Sequence, residues 1–121
     1  MAGINRLNVY NKYGGRCAYC GCKIELKEMQ VDHIISKTHW KRDGCMFLLN
    51  SIDNLNPACR HCNIRKYEHT IEHFRKLLLN EVNMLVRDSP KFRIAIRYGL
   101  IQLNDITNFK FYFEKELPRN G

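Results

Sequence analysis

Apolar residues recur along the chain in short runs of changing period. Between Ile4 and Tyr13, Ile4, Leu7 and Val9–Tyr10 stand at near-helical spacing with Arg6 and Lys12 among them, and Gly14-Gly15 ends the run. This predicts a short N-terminal helix. CAYCGC (Cys17 to Cys22) reads as a tight turn, and Lys23 to Met29 as a polar hairpin or loop. Met29 to Ile35 (MQVDHII) is β-branched and partly alternating, the signature of a strand. Ser36 to Asn50 reads as a connection with a turn at Asp43-Gly44, long enough to touch a substrate. Asn54 to Ala58 predicts a second short strand, where Pro57 suits an edge or a strand end. Cys59 to His69 reads as a helix. Thr70 is the expected N-cap of the next, which runs to about Arg87 with Ile71, Phe74, Leu77, Leu78, Val82 and Leu85 on one face. Ser89-Pro90 breaks it. Phe92 to Ile101 predicts a further helix ended by Gly99, and Phe109 to Phe113 (FKFYF) alternates like a strand. The residues from Leu117 are expected to be loose.

A chain of 121 residues predicts one domain, 1–121, with a modest core that a metal staple would strengthen. The formal charge of +8 points to a polyanion partner, nucleic acid or a membrane surface. The basic residues are interleaved with apolar ones, which favours a folded phosphate-contacting surface over a disordered arm. No stretch approaches ~18 consecutive apolar residues, and the first residues carry no apolar signal core. The expected setting is the cytoplasm, where six cysteines suggest metal binding before bridges.

Four of those cysteines form two Cys-x-x-Cys pairs, Cys17/Cys20 and Cys59/Cys62. Zinc takes four such ligands in a tetrahedron, and the bland alternative is four reduced core thiols. The gap of 38 residues exceeds that of a zinc ribbon, so the metal would pin a hairpin to a helix with a whole unit looped between. Gly21 would let backbone approach the metal. Cys22 and Cys45 read as small buried hydrophobes, although Cys22 could compete with Cys20.

The order Cys-x-x-Cys, Asp32-His33-Ile34, Asn54-Leu55, Cys-x-x-Cys-Asn63-x-x-Lys66 resembles the HNH endonucleases of the ββα-metal type. More narrowly, it is similar to the short zinc-stapled members common in phages and prophages. The resemblance covers Arg16 to Lys66. It implies an α+β fold: a small ββα-metal core over 16–69 with a four-Cys zinc site, and a helical and strand extension over 70–117. It implies that His33 is the general base that activates water. Asp32 would bind a divalent cation, Mg²⁺ or Mn²⁺, and Asn54 would orient the hairpin loop or His33. Asn63 falls where the family name demands His, an HNN variant, and would ligate the cation through its carbonyl oxygen. A bacterial host cell and a phage or prophage origin follow as expectations.

Elementary chemistry leads to the same place. Histidine titrates near neutral pH and can take a proton from water. A hard cation on one carboxylate and one amide oxygen keeps positions open for phosphate and water. Neighbouring strand residues point to opposite faces, so Asp32 and His33 meet at one centre only through a distortion or a metal. The plainer readings are a solvated Asp-His pair, Asn54 as a turn former and Asn63 as a helix cap. Lys37, Lys41, Arg42, Arg60, Arg65 and Lys66 are the expected phosphate contacts, with DNA as substrate and low sequence specificity. A monomer would nick, whereas a homodimer could cut both strands. The alternatives are a non-catalytic zinc-dependent DNA-binding module, or an accessory component of a phage packaging or nuclease complex that contacts its partner through the aromatic C-terminal strand.

Overall fold

The computed structural model describes residues 3–106 and 108–115. The expected loose tail from Leu117, and the end of the 70–117 extension, lie outside them. The chain divides into two compact units: residues 1–71 with 110–121, and residues 72–109.

In the first unit, α1 spans Arg6–Asn11. Asn5 caps it by accepting from the Asn8 amide at 3.2 Å, and Gly14 and Gly15 end it at φ 63° and 80°. Val9 packs into a small core with Met29 and Leu55, flanked by Tyr10, Ile24 and Val31. Three polar side chains fasten the helix down. Arg6 donates to the carbonyls of Leu26 and Met29, and Tyr10 Oη to that of Ile24. Lys12 Nζ donates to the carbonyls of Ile52 and Leu55.

Strands β1 (Gln30–His33) and β2 (Leu55–Ala58) form a two-stranded antiparallel sheet. Its register pairs Val31 with Pro57, Asp32 with Asn56 and His33 with Leu55. Pro57 is tolerated because every strand of such a sheet is an edge, and its carbonyl accepts from the Ala18 amide at 2.8 Å. Helix α3 (Arg60–Lys66) follows at once, capped by Cys59.

The connection between the strands is more ordered than expected. It holds helix α2 (Lys37–Arg42) and a 3₁₀ turn at Met46–Leu48. KTHWKR lacks Gly and Pro, Ser36 supplies the N-cap, and Lys41 and Arg42 suit the dipole of the last turn. Gly44 turns the chain at φ 73°. Asn54, expected at the start of the second strand, lies instead in a 3₁₀ turn (Ile52–Asn54).

FKFYF is not a strand. Phe111 is 2 % exposed, and Tyr112–Glu114 form a 3₁₀ turn. The amides of Tyr112 and Phe113 donate to the carbonyls of Tyr19 and Ala18, and the Phe111 amide to Glu114 Oε1. The alternation serves ring packing: Phe111 and Phe113 meet Tyr19 edge-on at 5.4 and 5.7 Å. The buried Phe111 face is therefore unavailable as the partner contact expected of an exposed strand. Gly21, at φ 80°, is required for the same reason, since a Cβ there would stand 2.8 Å from the Tyr112 ring. The close approach that it permits is that of the ring.

The second unit holds nearly all of α4 (Ile71–Asp88) and all of α5 (Pro90–Arg97). Ser89 caps α5 through the Phe92 amide, with Pro90 at its first turn. Arg93 donates back to the carbonyls of Val86 and Arg87, satisfying the end of α4. Arg75 donates to the Phe109 carbonyl at 2.8 Å and lies over that ring. Among the described residues no helix is long and apolar enough to cross a membrane.

Candidate active site

The two Cys-x-x-Cys turns converge. The Sγ atoms of Cys17, Cys20, Cys59 and Cys62 all lie within 4.8 Å of one another, with Cys20 and Cys59 at 3.9 Å. A zinc tetrahedron with ~2.3 Å bonds puts its sulfurs about 3.8 Å apart, so the thiols fit the ion. The knuckles supply the usual amide support: Tyr19 N–H points at Cys17 Sγ, and Cys62 N–H at Cys59 Sγ. The hydrogen bond from Cys62 holds the Cys17 thiol down to about 4, which favours the thiolate a metal needs, while Cys62 is pushed up in turn. Cys22 is exposed and Cys45 half-buried, so neither is the buried hydrophobe expected. Partial desolvation, then the hydrogen bond with Cys20, pushes the Cys22 thiol up to about 12.

Asp32 faces inward from β1 and is 4 % exposed. The Tyr19 hydroxyl donates to its Oδ2, and Lys66 Nζ lies 3.2–3.3 Å from both oxygens. Asn56 Nδ2 supports the Tyr19 oxygen at 3.3 Å. Burial raises the Asp32 carboxyl above its ordinary value against the pull of Lys66, and burial likewise lowers the Lys66 ammonium. Tyr19 is raised by burial and then by the Asp32 charge, so it keeps its proton and donates it. Lys66 corrects an expectation. It is 0 % exposed and also donates to the His33 carbonyl at 2.9 Å, so it ties α3 to β1 and is closed to phosphate. The other five expected contacts, Lys37, Lys41, Arg42, Arg60 and Arg65, are exposed.

His33, on the other face of β1, is half-buried, and its Nε2 lies 2.9 Å from Asn50 Oδ1. An amide oxygen only accepts, so in the neutral ring Nε2 carries the proton and Nδ1 keeps the lone pair. The Asn54 side chain bonds to the loop and makes no hydrogen bond to His33. Its Oδ1 accepts from Ile35 N–H at 2.8 Å, and its Nδ2 donates to the carbonyls of Ile35 and Leu49 at 3.0 and 2.9 Å. It thereby clips the residues after His33 to those before Asn50. Asn63 is half-exposed, one turn before Lys66 on the same face of α3. The side chains of Asp32 and His33 thus keep separate hydrogen-bond partners, and Lys66 links the Asp32 carboxylate to the His33 backbone carbonyl.

Three contributors went unmarked in the sequence: Tyr19, Asn50 and Asn56. Tyr19 lies inside a knuckle, where attention goes to the cysteines. Asn50 ends an apolar run, and a polar residue there was the available signal.

A short antiparallel sheet followed by a helix, closed by four converging thiols, defines the ββα-metal class. Residues 17–69 match the family model of the HNH endonuclease, and over that segment the chain is an HNH domain. No curated protein and no solved structure matches the chain. The family is one of nucleases, whose general substrate is nucleic acid, and the +8 charge of this chain suits such a polyanion.

Proposed function

We propose that the protein is a metal-dependent DNA endonuclease that hydrolyses phosphodiester bonds, nicking or cutting double-stranded DNA with low sequence specificity. The observation that carries this reading is the bond from His33 Nε2 to Asn50, which leaves Nδ1 as the proton acceptor. In this reading Nδ1 takes the proton from a water positioned against phosphorus, and the Asn54 clip holds the ring's surroundings fixed while it does so. Asp32 and Asn63, both oxygen donors, would hold a Mg²⁺ or Mn²⁺ ion. Such an ion supplies charge neutralisation at the non-bridging oxygen. A carboxylate offers about four lone-pair directions, and Tyr19 and Lys66 already engage both Asp32 oxygens, so the carboxylate would be shared with Lys66. Exposed Lys37, Lys41, Arg42, Arg60 and Arg65 follow the phosphate backbone in this reading.

The enclosure of Asp32 favours a second reading, a zinc-dependent DNA-binding module without catalysis, acting alone or within a phage packaging or nuclease complex. Supercoiled-plasmid cleavage decides between them. The purified protein is assayed without added cation, then with Mg²⁺ and Mn²⁺, beside His33→Ala. The nuclease reading expects cation-dependent nicking that falls ~10²–10⁴-fold in the variant. Plasmid that is bound but left intact by both proteins would establish the binding module.

A further inference from the structure

Phe47 is 80 % exposed at the centre of the Met46–Leu48 turn, with Met46 and Ile52 also exposed beside it in sequence. Exposed apolar residues are common singly and carry no meaning by themselves. What distinguishes Phe47 is where it stands and how firmly it is held. The Cys45 amide donates to the Trp40 carbonyl, Leu48 N–H to Cys45 and Leu49 N–H to Met46. The Leu49 carbonyl is gripped by Asn54 Nδ2, and Asn50 is the residue that meets His33. A hydrogen-bonded turn therefore presents a bare aromatic ring three residues from Asn50, the partner of His33.

Three residues span at most about 11 Å, so Phe47 belongs to the same short stretch as Asn50, the residue that meets His33, and a DNA strand whose scissile phosphate sits at His33 comes near this turn. A phenyl ring has no hydrogen-bonding group, so it cannot read base edges, but it stacks on any base and can wedge into a base step. The same connection carries exposed Lys37, Lys41 and Arg42, which suit the phosphates on either side of such a contact.

We propose that Phe47 is a base-contacting wedge that engages DNA beside the cut phosphate and seats the strand against His33 without selecting sequence. This rests on the nuclease reading above. The test measures duplex binding by fluorescence anisotropy without added divalent cation, for wild type, Phe47→Ala, Phe47→Leu and Arg42→Ala. A second measurement places 2-aminopurine at each position around the mapped nick. Phe47→Ala is expected to bind about 5- to 150-fold more weakly, with an unchanged salt slope. Phe47→Leu is expected to recover part of the loss, and Arg42→Ala to flatten the slope by about one phosphate contact. Wild type should brighten one 2-aminopurine position near the nick, and Phe47→Ala should not. Wild-type binding by Phe47→Ala, or no base responding, overturns the wedge while leaving the nuclease intact. A wild-type protein that neither binds nor cuts DNA overturns both.

Discussion

The Lys66 ammonium sits 3.2 Å from Asp32 Oδ2, with the two side chains 0 % and 4 % exposed. A buried ion pair is weak evidence of net stability, but a half-pair is costly, because it leaves one charge desolvated and uncompensated. Lys66→Met is therefore expected to destabilise the first unit by about 3–5 kcal/mol, and Asp32→Asn by a similar order. The double variant should lose less than the sum, read as a double-mutant cycle from urea unfolding. The pH dependence follows from the direction of the carboxyl shift. The Asp32 carboxyl is already raised by burial and rises further without Lys66. A carboxyl raised in the folded state adds stability below its unfolded value, and that stability is lost as pH climbs through the folded value. The deficit of Lys66→Met should thus shrink on acidification into the ordinary carboxylate range and grow as pH climbs through the raised folded value. An equal deficit at both ends would argue that lost packing, not charge, is the cause.

Removal of the thiolate-bound metal should unfold the first unit. Zinc contributes on the order of 10–16 kcal/mol to small four-ligand sites, as much as or more than the whole stability of an ordinary domain. The four thiols join the turn at Cys17–Cys20 to the N-cap of α3, so both strands hang between ligands. Elemental analysis is expected to find one zinc per chain. Cys59→Ser, or a strong chelator, should abolish near-ultraviolet circular dichroism from the Tyr19–Phe111–Phe113 cluster. Cys22→Ser should retain the zinc, because Cys22 lies outside the four.

The Asn50 contact makes a kinetic prediction. Asn50→Ala removes the acceptor of His33 Nε2 and frees the ring to take either tautomer, so kcat should fall ~10–100-fold with little change in KM. Asn50→Asp restores an acceptor and adds a charge that stabilises the imidazolium. Activity should return in part, with the acid limb of the pH–rate profile displaced to higher pH. Equal loss in Asn50→Ala and Asn50→Asp, with no displacement, would show that Asn50 acts only through folding of its turn.

Much of the scaffold was written in local patterns. The paired cysteines, the two short strands and the break at Ser89-Pro90 each depend on a few neighbouring residues, and their elements formed within a residue or two of expectation. The losses share one cause: they depend on what lies across space. Lys66 carries a motif position and a positive charge, both of which suggest phosphate, but only the fold turns it onto Asp32. Phe109 to Phe113 alternates, yet the Phe111 and Phe113 rings pack on Tyr19, some ninety residues earlier in the chain, and the amides of Tyr112 and Phe113 bond there too. Asn50 has no motif, and its bond to His33 forms across a connection that Asn54 clips through the neighbouring Leu49 carbonyl.

Asn54 offers the sharpest separation of support from chemistry. One side chain meets three backbone groups, Ile35 N–H, Ile35 C=O and Leu49 C=O, and is itself buried. Asn54→Ala orphans all three, at a cost of about 2–4 kcal/mol once partial rehydration is allowed. The Ile35 amide should then lose most of its hydrogen-exchange protection, while the amides of β1 and β2 keep theirs. Cleavage should slow because Leu49–Asn50 drifts from His33, while the salt slope of DNA binding, set by the exposed cations, should stay unchanged. Asn54→Asp is the informative companion. It can still accept from Ile35 N–H, but it replaces two donors with a carboxylate facing two carbonyls, so it should be no more stable than Asn54→Ala. An Asn54→Asp protein as stable and as active as wild type would mean that the Ile35 amide bond alone holds the connection. The two carbonyl contacts would then be incidental to the position of His33.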